Sequence, residues 1–118
     1  MLAVNDDGDR RDAVPGDGVC ESVGGGDGCT LRAAVDEANA HPAIDEIAIE
    51  AGVGPVLTRV GGDEDANATG DLDVRHDLHL AGTETTTVTA THEDRVLDVR
   101  SGRVVLDEIG LTRGPALR

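Results

Sequence analysis

Leu72-Asp73-Val74-Arg75 recurs as Leu97-Asp98-Val99-Arg100, an offset of 25 residues. Each copy is followed within a few residues by another short apolar stretch, Leu78-His79-Leu80 and Val104-Val105-Leu106, and then by a glycine. A period in the twenties built from short strands is the mark of a solenoid, whose coils stack on their neighbours. Short strands with regular turn signals also fit an antiparallel β-sandwich. The echo at 25 favours the solenoid.

The strand-like pattern extends on both sides of the repeat. Upstream lie Ile44, Ile47 and Ile49, an interruption at Gly52-Val53-Gly54-Pro55, and Val56-Leu57-Thr58-Arg59-Val60. A polar stretch from Gly61 to Gly70 separates these from the first copy. Between the copies, Val88 sits in a Thr-rich run from Thr85 to Thr91, which favours a strand. After Val96, Leu97 and Val99 come Val104 to Leu106, Ile109 and Leu111.

One segment has a different period. Leu31, Ala34, Val35 and Ala38 fall at i, i+3, i+4 and i+7, one face of a helix over residues 30–40. Thr30 is placed to cap its start, and His41-Pro42 stops it. The stripe is narrow, so the helix must dock on something else, with Leu31, Val35 and Ala38 pressing on Ile47 and Ile49. Before it, residues 1–29 read as an irregular, acidic, Gly-rich loop full of Pro-Gly and Asp-Gly turn signals. The expected organisation is one domain: loop 1–29, helix 30–41 and strands over 43–118.

Composition limits the function. The chain has 118 residues and a formal charge of −14, with 10 basic residues, all Arg, against 24 acidic ones. Such a surface repels phosphate backbones and anionic lipid, so no nucleic-acid partner is expected. No Phe, Tyr or Trp is present, which removes aromatic platforms for bases or sugars. Leu, Ile and Val number 10, 4 and 14. A core of small branched side chains suits a sheet better than a bundle. No apolar run reaches the ~18 residues of a membrane helix, so no membrane span is expected.

The stretch Pro15-Gly16-Asp17-Gly18-Val19-Cys20, together with Gly28-Cys29-Thr30-Leu31-Arg32-Ala33-Ala34-Val35-Asp36-Glu37-Ala38-Asn39-Ala40, resembles the CSLREA-type domain of bacterial and archaeal surface proteins. Asp45-Glu46-Ile47-Ala48-Ile49, Gly70-Asp71-Leu72-Asp73-Val74, Asp94-Arg95-Val96-Leu97-Asp98-Val99 and Ile109-Gly110-Leu111-Thr112-Arg113-Gly114 are similar to its later strands. The resemblance implies the start of a right-handed parallel β-helix of about three coils, pectin-lyase-like in backbone, with an N-terminal capping helix. It also implies a secreted or surface-anchored protein whose coils continue beyond this stretch. Gly52-Val53-Gly54-Pro55 departs from the family's Gly-Thr-Tyr and removes an aromatic.

Cys20 and Cys29, nine apart, admit three readings. They form a disulfide closing the Gly-rich loop, they are free thiols, or they belong to a metal site. Two Cys without a nearby His fall short of four zinc ligands. Their spacing and acidic surroundings favour the disulfide, which implies export and a leader outside this sequence. Asp6, Asp7, Asp9, Asp12 and Asp17, interleaved with Gly, have the hard oxygen chemistry of a Ca²⁺ site, against the plainer reading of a solvated loop. They lack the EF-hand order and its final Glu.

Asp71, Asp73 and Asp98 with Arg75 and Arg100 imitate the carboxylate-and-base set of a polysaccharide lyase, but a charge ladder on the outer face explains them as well. His41, His76, His79 and His92 show no ligand spacing and read as surface residues, and no catalytic residue is assigned. Asn67-Ala68-Thr69 matches a glycosylation acceptor. The expected function is therefore a non-catalytic cap of an extracellular adhesin- or stalk-like protein. Its partners would be further coils of the same protein, a second copy at the open last coil, or carbohydrate. A carbohydrate-active β-helix enzyme and a Ca²⁺-dependent binding module are the alternatives.

Overall fold

In the computed structural model, residues 2–13, 16, 18–22, 28–41, 44–57, 72–75, 77–90, 97–99 and 102–113 are described. They form a mainly β protein with one short helix. The strands are β1 (Leu2–Val4), β2 (Glu46–Ile49), β3 (Val56–Leu57), β4 (Leu72–Val74), β5 (Leu78–Ala90), β6 (Leu97–Val99) and β7 (Val104–Arg113). The helix is α1 (Leu31–Ala40).

Every pairing between these strands is parallel, which overturns the antiparallel sandwich. Parallel neighbours need long crossovers rather than tight hairpins. Five strands make one sheet curled into a half-barrel. β5 is its centre. One edge of β5 pairs with β2 and then β3, and the other edge pairs with β7. β1 pairs with the far edge of β2.

The 25-residue echo is a stacking register. β4 and β6 form a separate pair with Leu72 on Leu97, Asp73 on Asp98 and Val74 on Val99. The following strands keep nearly the same step, Leu78 on Val104 and Leu80 on Leu106. The step then changes, because β5 carries an irregularity between Ala81 and Thr86. At that bend Gly82 leaves no room for a side chain, since a Cβ would stand 2.8 Å from Thr86 and 2.9 Å from Ile109. Opposite, Glu108 takes a left-handed φ of 57°. Val60, Val96 and the Gly61–Gly70 stretch lie outside the described residues.

The core follows from strand alternation. Leu2, Ile47, Leu80 and Leu106 are linked one to the next by register, each on its own strand. The first three are buried, at 7%, 0% and 1% exposure, whereas Leu106 stands 39% exposed. Leu31, Ala34, Val35 and Ala38 of α1 join the same apolar cluster as Ile47 and Ile49, as their spacing predicts. Burying apolar area at ~25 cal/mol per Å² gives each of the larger ones about 1–2 kcal/mol.

Two features differ from the sequence reading. Residues 2–4 are not irregular: Leu2 and Val4 alternate inward and extend the sheet beyond β2. And the buried surface of α1 is wider than its apolar stripe, because Arg32, Ala33, Asp36 and Glu37 are buried as well.

Candidate functional site

The buried polar face of α1 is where the ionisable side chains of the described residues converge. The helix starts where Thr30 Oγ1 accepts from Ala33 N (3.1 Å), the expected N-cap. The same hydroxyl donates to Arg10 O (2.6 Å), and Thr30 N donates to Ser22 Oγ (3.0 Å). The helix ends at Ala40, with His41 N donating to Glu37 O. Apolar stripe and polar face thus occupy opposite sides of a ten-residue helix.

Three helix side chains hold the N-terminal segment down on that polar face. Arg32 donates from Nε and Nη2 to Asp9 Oδ1 and Oδ2, and both side chains are fully buried. Asp36 accepts from Arg11 Nε and Nη2 (both 3.2 Å) and from Asp12 N (3.1 Å). Glu37 accepts from Gly16 N (2.9 Å) and Gly18 N (2.6 Å). Gly16 and Gly18 take φ of +101° and +83°, which a side chain would strain. Their two amides donate to the two oxygens of one carboxylate. Residues 5–13, 16 and 18–22 are therefore a clasp over the helix.

A disulfide fastens the clasp. Cys20 and Cys29 are bonded, with Cα atoms 5.4 Å apart, so the free-thiol and metal readings fall. Within the loop it closes, Ser22 N donates to Gly28 O (2.9 Å). Asn5 joins the far side: its N donates to Cys29 O, and its Oδ1 accepts from Cys29 N. Closing a loop of this length contributes about 2–3 kcal/mol. Thiol titration of the unreduced protein should find no free sulfhydryl. The Cys20→Ala/Cys29→Ala variant should lose that much stability in urea unfolding, and an unchanged midpoint would contradict the clasp.

The described acidic residues of the Ca²⁺ set each have a partner within the chain. Asp6 Oδ1 accepts from Gly8 N (2.8 Å) in a local turn. Asp7 Oδ1 accepts from Gly54 N (2.9 Å), holding the turn before β3. Asp9 pairs with Arg32, and Asp12 Oδ1 accepts from Glu21 N (3.2 Å). Asp17 lies outside the described residues. Among the described residues no three His, Cys, Asp or Glu side chains stand together to hold a metal.

Of the lyase-like set, Asp73 and Asp98 do stack by register. Arg75 N donates to Asn39 Oδ1 (2.9 Å), tying the end of α1 to the chain after β4. Asp71, Arg100, His76, His92 and the Asn67 acceptor lie outside the described residues. His41 is the C-cap, and His79 lies between two carboxylates on the sheet surface.

The sequence reading missed Arg32, Asp36 and Glu37. A signal was available. Arg32 sits in the first turn and Asp36 and Glu37 near the last, the reverse of what the helix dipole favours. Charges in the wrong order on an isolated helix point to partners elsewhere in the chain. Among the described residues no helix is long and apolar enough to cross a membrane. The chain matches no family model, no curated protein and no solved structure.

Proposed function

We propose that this chain is a non-catalytic capping module, the first coils of a right-handed parallel β-helix in a secreted or cell-surface protein. The observation that carries the reading is the asymmetry of the inward ladder. At one end Leu2 and Ile47 are sealed beneath α1 and its disulfide-fastened clasp. At the other, Leu106 occupies the place that Leu80 fills in the strand before, yet it is 39% exposed. β7 pairs only with β5 among the described strands, and β6 only with β4.

A closed end and an open end suit a cap on which further coils stack. A cap at one end of a stack of strands protects an edge that would otherwise template aggregation. The buried Asp9–Arg32 pair ties the N-terminal segment to the helix, which fits a structural role. A disulfide fits an oxidising compartment.

Hydrogen exchange of the 118-residue protein tests the asymmetry. Amides of α1, β1 and β2 should exchange slowest, and those of β7 that face away from β5 should exchange close to unstructured rates. Equal protection of β5 and β7 would sink the open-end reading. Incubation with polygalacturonate should release no unsaturated uronate, and its release would replace the cap with a lyase.

A further inference from the structure

We propose that the outer edge of β7 pairs antiparallel with β7 of a second copy, about a two-fold axis at Val105. The inference rests on the same open edge as the capping reading. It concerns the 118-residue chain, because a further coil would use the same backbone groups. Leu78 N donates to Arg103 O (2.9 Å), which sets the phase of the β5–β7 ladder. In a parallel ladder, alternate residues of a strand turn their N–H and C=O to the same neighbour. Val105 therefore turns its backbone groups to β5, and Val104 and Leu106 turn theirs to the other edge. Among the described strands none pairs with that edge. Val105 and Leu106 are 46% and 39% exposed, and the Asp107 side chain is 63% exposed.

A two-fold contact sets one strand edge against itself, so residue i meets residue j and j meets i. The hydrogen bonds must come from residues whose backbone faces outward, which admits axes at Val104, Val105 or Leu106. With the axis at Val105, Val104 pairs with Leu106 of the second copy, twice. By register these residues continue the face of Leu78 and Leu80, so the apolar ladder is closed over. On the opposite face Val105 meets its own counterpart, and Arg103 meets Asp107 of the second copy, twice. An axis at Leu106 would set Val105 against Asp107 and Val104 against Glu108. An axis at Val104 would set Leu106 against Gly102 and Arg103 against Val105. Of the three, the Val105 axis alone matches apolar with apolar and opposite charge with opposite charge, the cross-strand pairs that stabilise a sheet. The left-handed φ of Glu108 ends the straight part of the edge, so residues 103–107 make the contact. A two-fold contact of this kind is closed and stops at a pair.

Sedimentation of the intact, disulfide-bonded protein tests the pairing in about 0.15 M salt, where charges more than ~8 Å apart are largely screened. The edge is short, so association is expected at about 10–100 µM. The average mass should rise from 12.1 kDa toward twice that value between about 1 µM and 1 mM. Arg103→Asp and Asp107→Arg should each weaken association about tenfold or more, because each sets like charges face to face. Net charge alone predicts the opposite for Asp107→Arg: each chain carries −14, and that substitution reduces the repulsion. Arg103→Asp/Asp107→Arg restores both pairs at the original net charge and should recover the dimer. Hydrogen exchange separates this inference from the capping reading. The amides of Val104 and Leu106 should exchange rapidly at about 1 µM and about tenfold more slowly at 1 mM. Rapid exchange at both concentrations overturns the dimer alone, and slow exchange at both overturns the dimer and the open end together. A monomer at 1 mM, tighter association of Asp107→Arg, no recovery in the double variant, or growth beyond a dimer would also overturn the pairing.

Discussion

Asp9→Ala is expected to lower the unfolding free energy by about 3–5 kcal/mol, the cost of removing one partner from a buried ion pair. Both side chains of the Asp9–Arg32 pair are fully buried, so the substitution strands a guanidinium where water cannot reach it. Stabilities of small domains are about 5–15 kcal/mol, so this is a large fraction of the total. Urea unfolding gives the measurement.

Replacing both partners by apolar residues of similar size, Asp9→Leu with Arg32→Met, should recover most of the loss, because no charge then remains to be solvated. Loss of the clasp alone, with the helix still docked, would show as early hydrogen exchange at Asp12, Gly16 and Gly18 and not in β2. If Asp9→Ala left the unfolding midpoint within experimental error, the clasp would be a surface decoration.

The second large effect concerns the inward ladder. Leu80→Ala should cost about 2–5 kcal/mol, the range for a leucine truncated in a packed core. Leu80 is 1% exposed and paired by register with Ile47 on one side and Leu106 on the other. Leu106→Ala should cost about 1 kcal/mol or less, since part of that side chain already meets water. The two substitutions are chemically identical and differ by one step along the stack, so their ratio reads out which end of the ladder is open. Equal losses in urea unfolding would mean that something covers Leu106 and would remove the main support for a stackable end.

Much of the β architecture was legible in the sequence for a plain physical reason. A stack of parallel strands repeats the same environment at a fixed chain interval, so identical residues recur at that interval, and Leu72–Val74 lands on Leu97–Val99. The helix was legible through the 3.6-residue spacing of Leu31, Ala34, Val35 and Ala38, and through Thr30, which caps it. The Cys pair was legible from its spacing, though only the fold excluded the other two readings. Alternation of apolar and polar residues is the same in parallel and antiparallel pairing, so within the sequence only the 25-residue echo favoured the parallel stack.

What composition and periodicity determined here is local: the strand-like segments after the helix, where the helix begins and ends, and which of its apolar residues face the core, but not β1. What tertiary structure decided is the fate of the charges. A run of Asp and Gly before a helix reads as solvated, because a sequence does not show that Asp9, Arg11, Gly16 and Gly18 return to the helix 19 to 25 residues later in the chain. Burial of an ionised group is favourable only when a specific partner arrives at hydrogen-bonding distance. That arrival depends on the path of the whole chain, which no local pattern encodes.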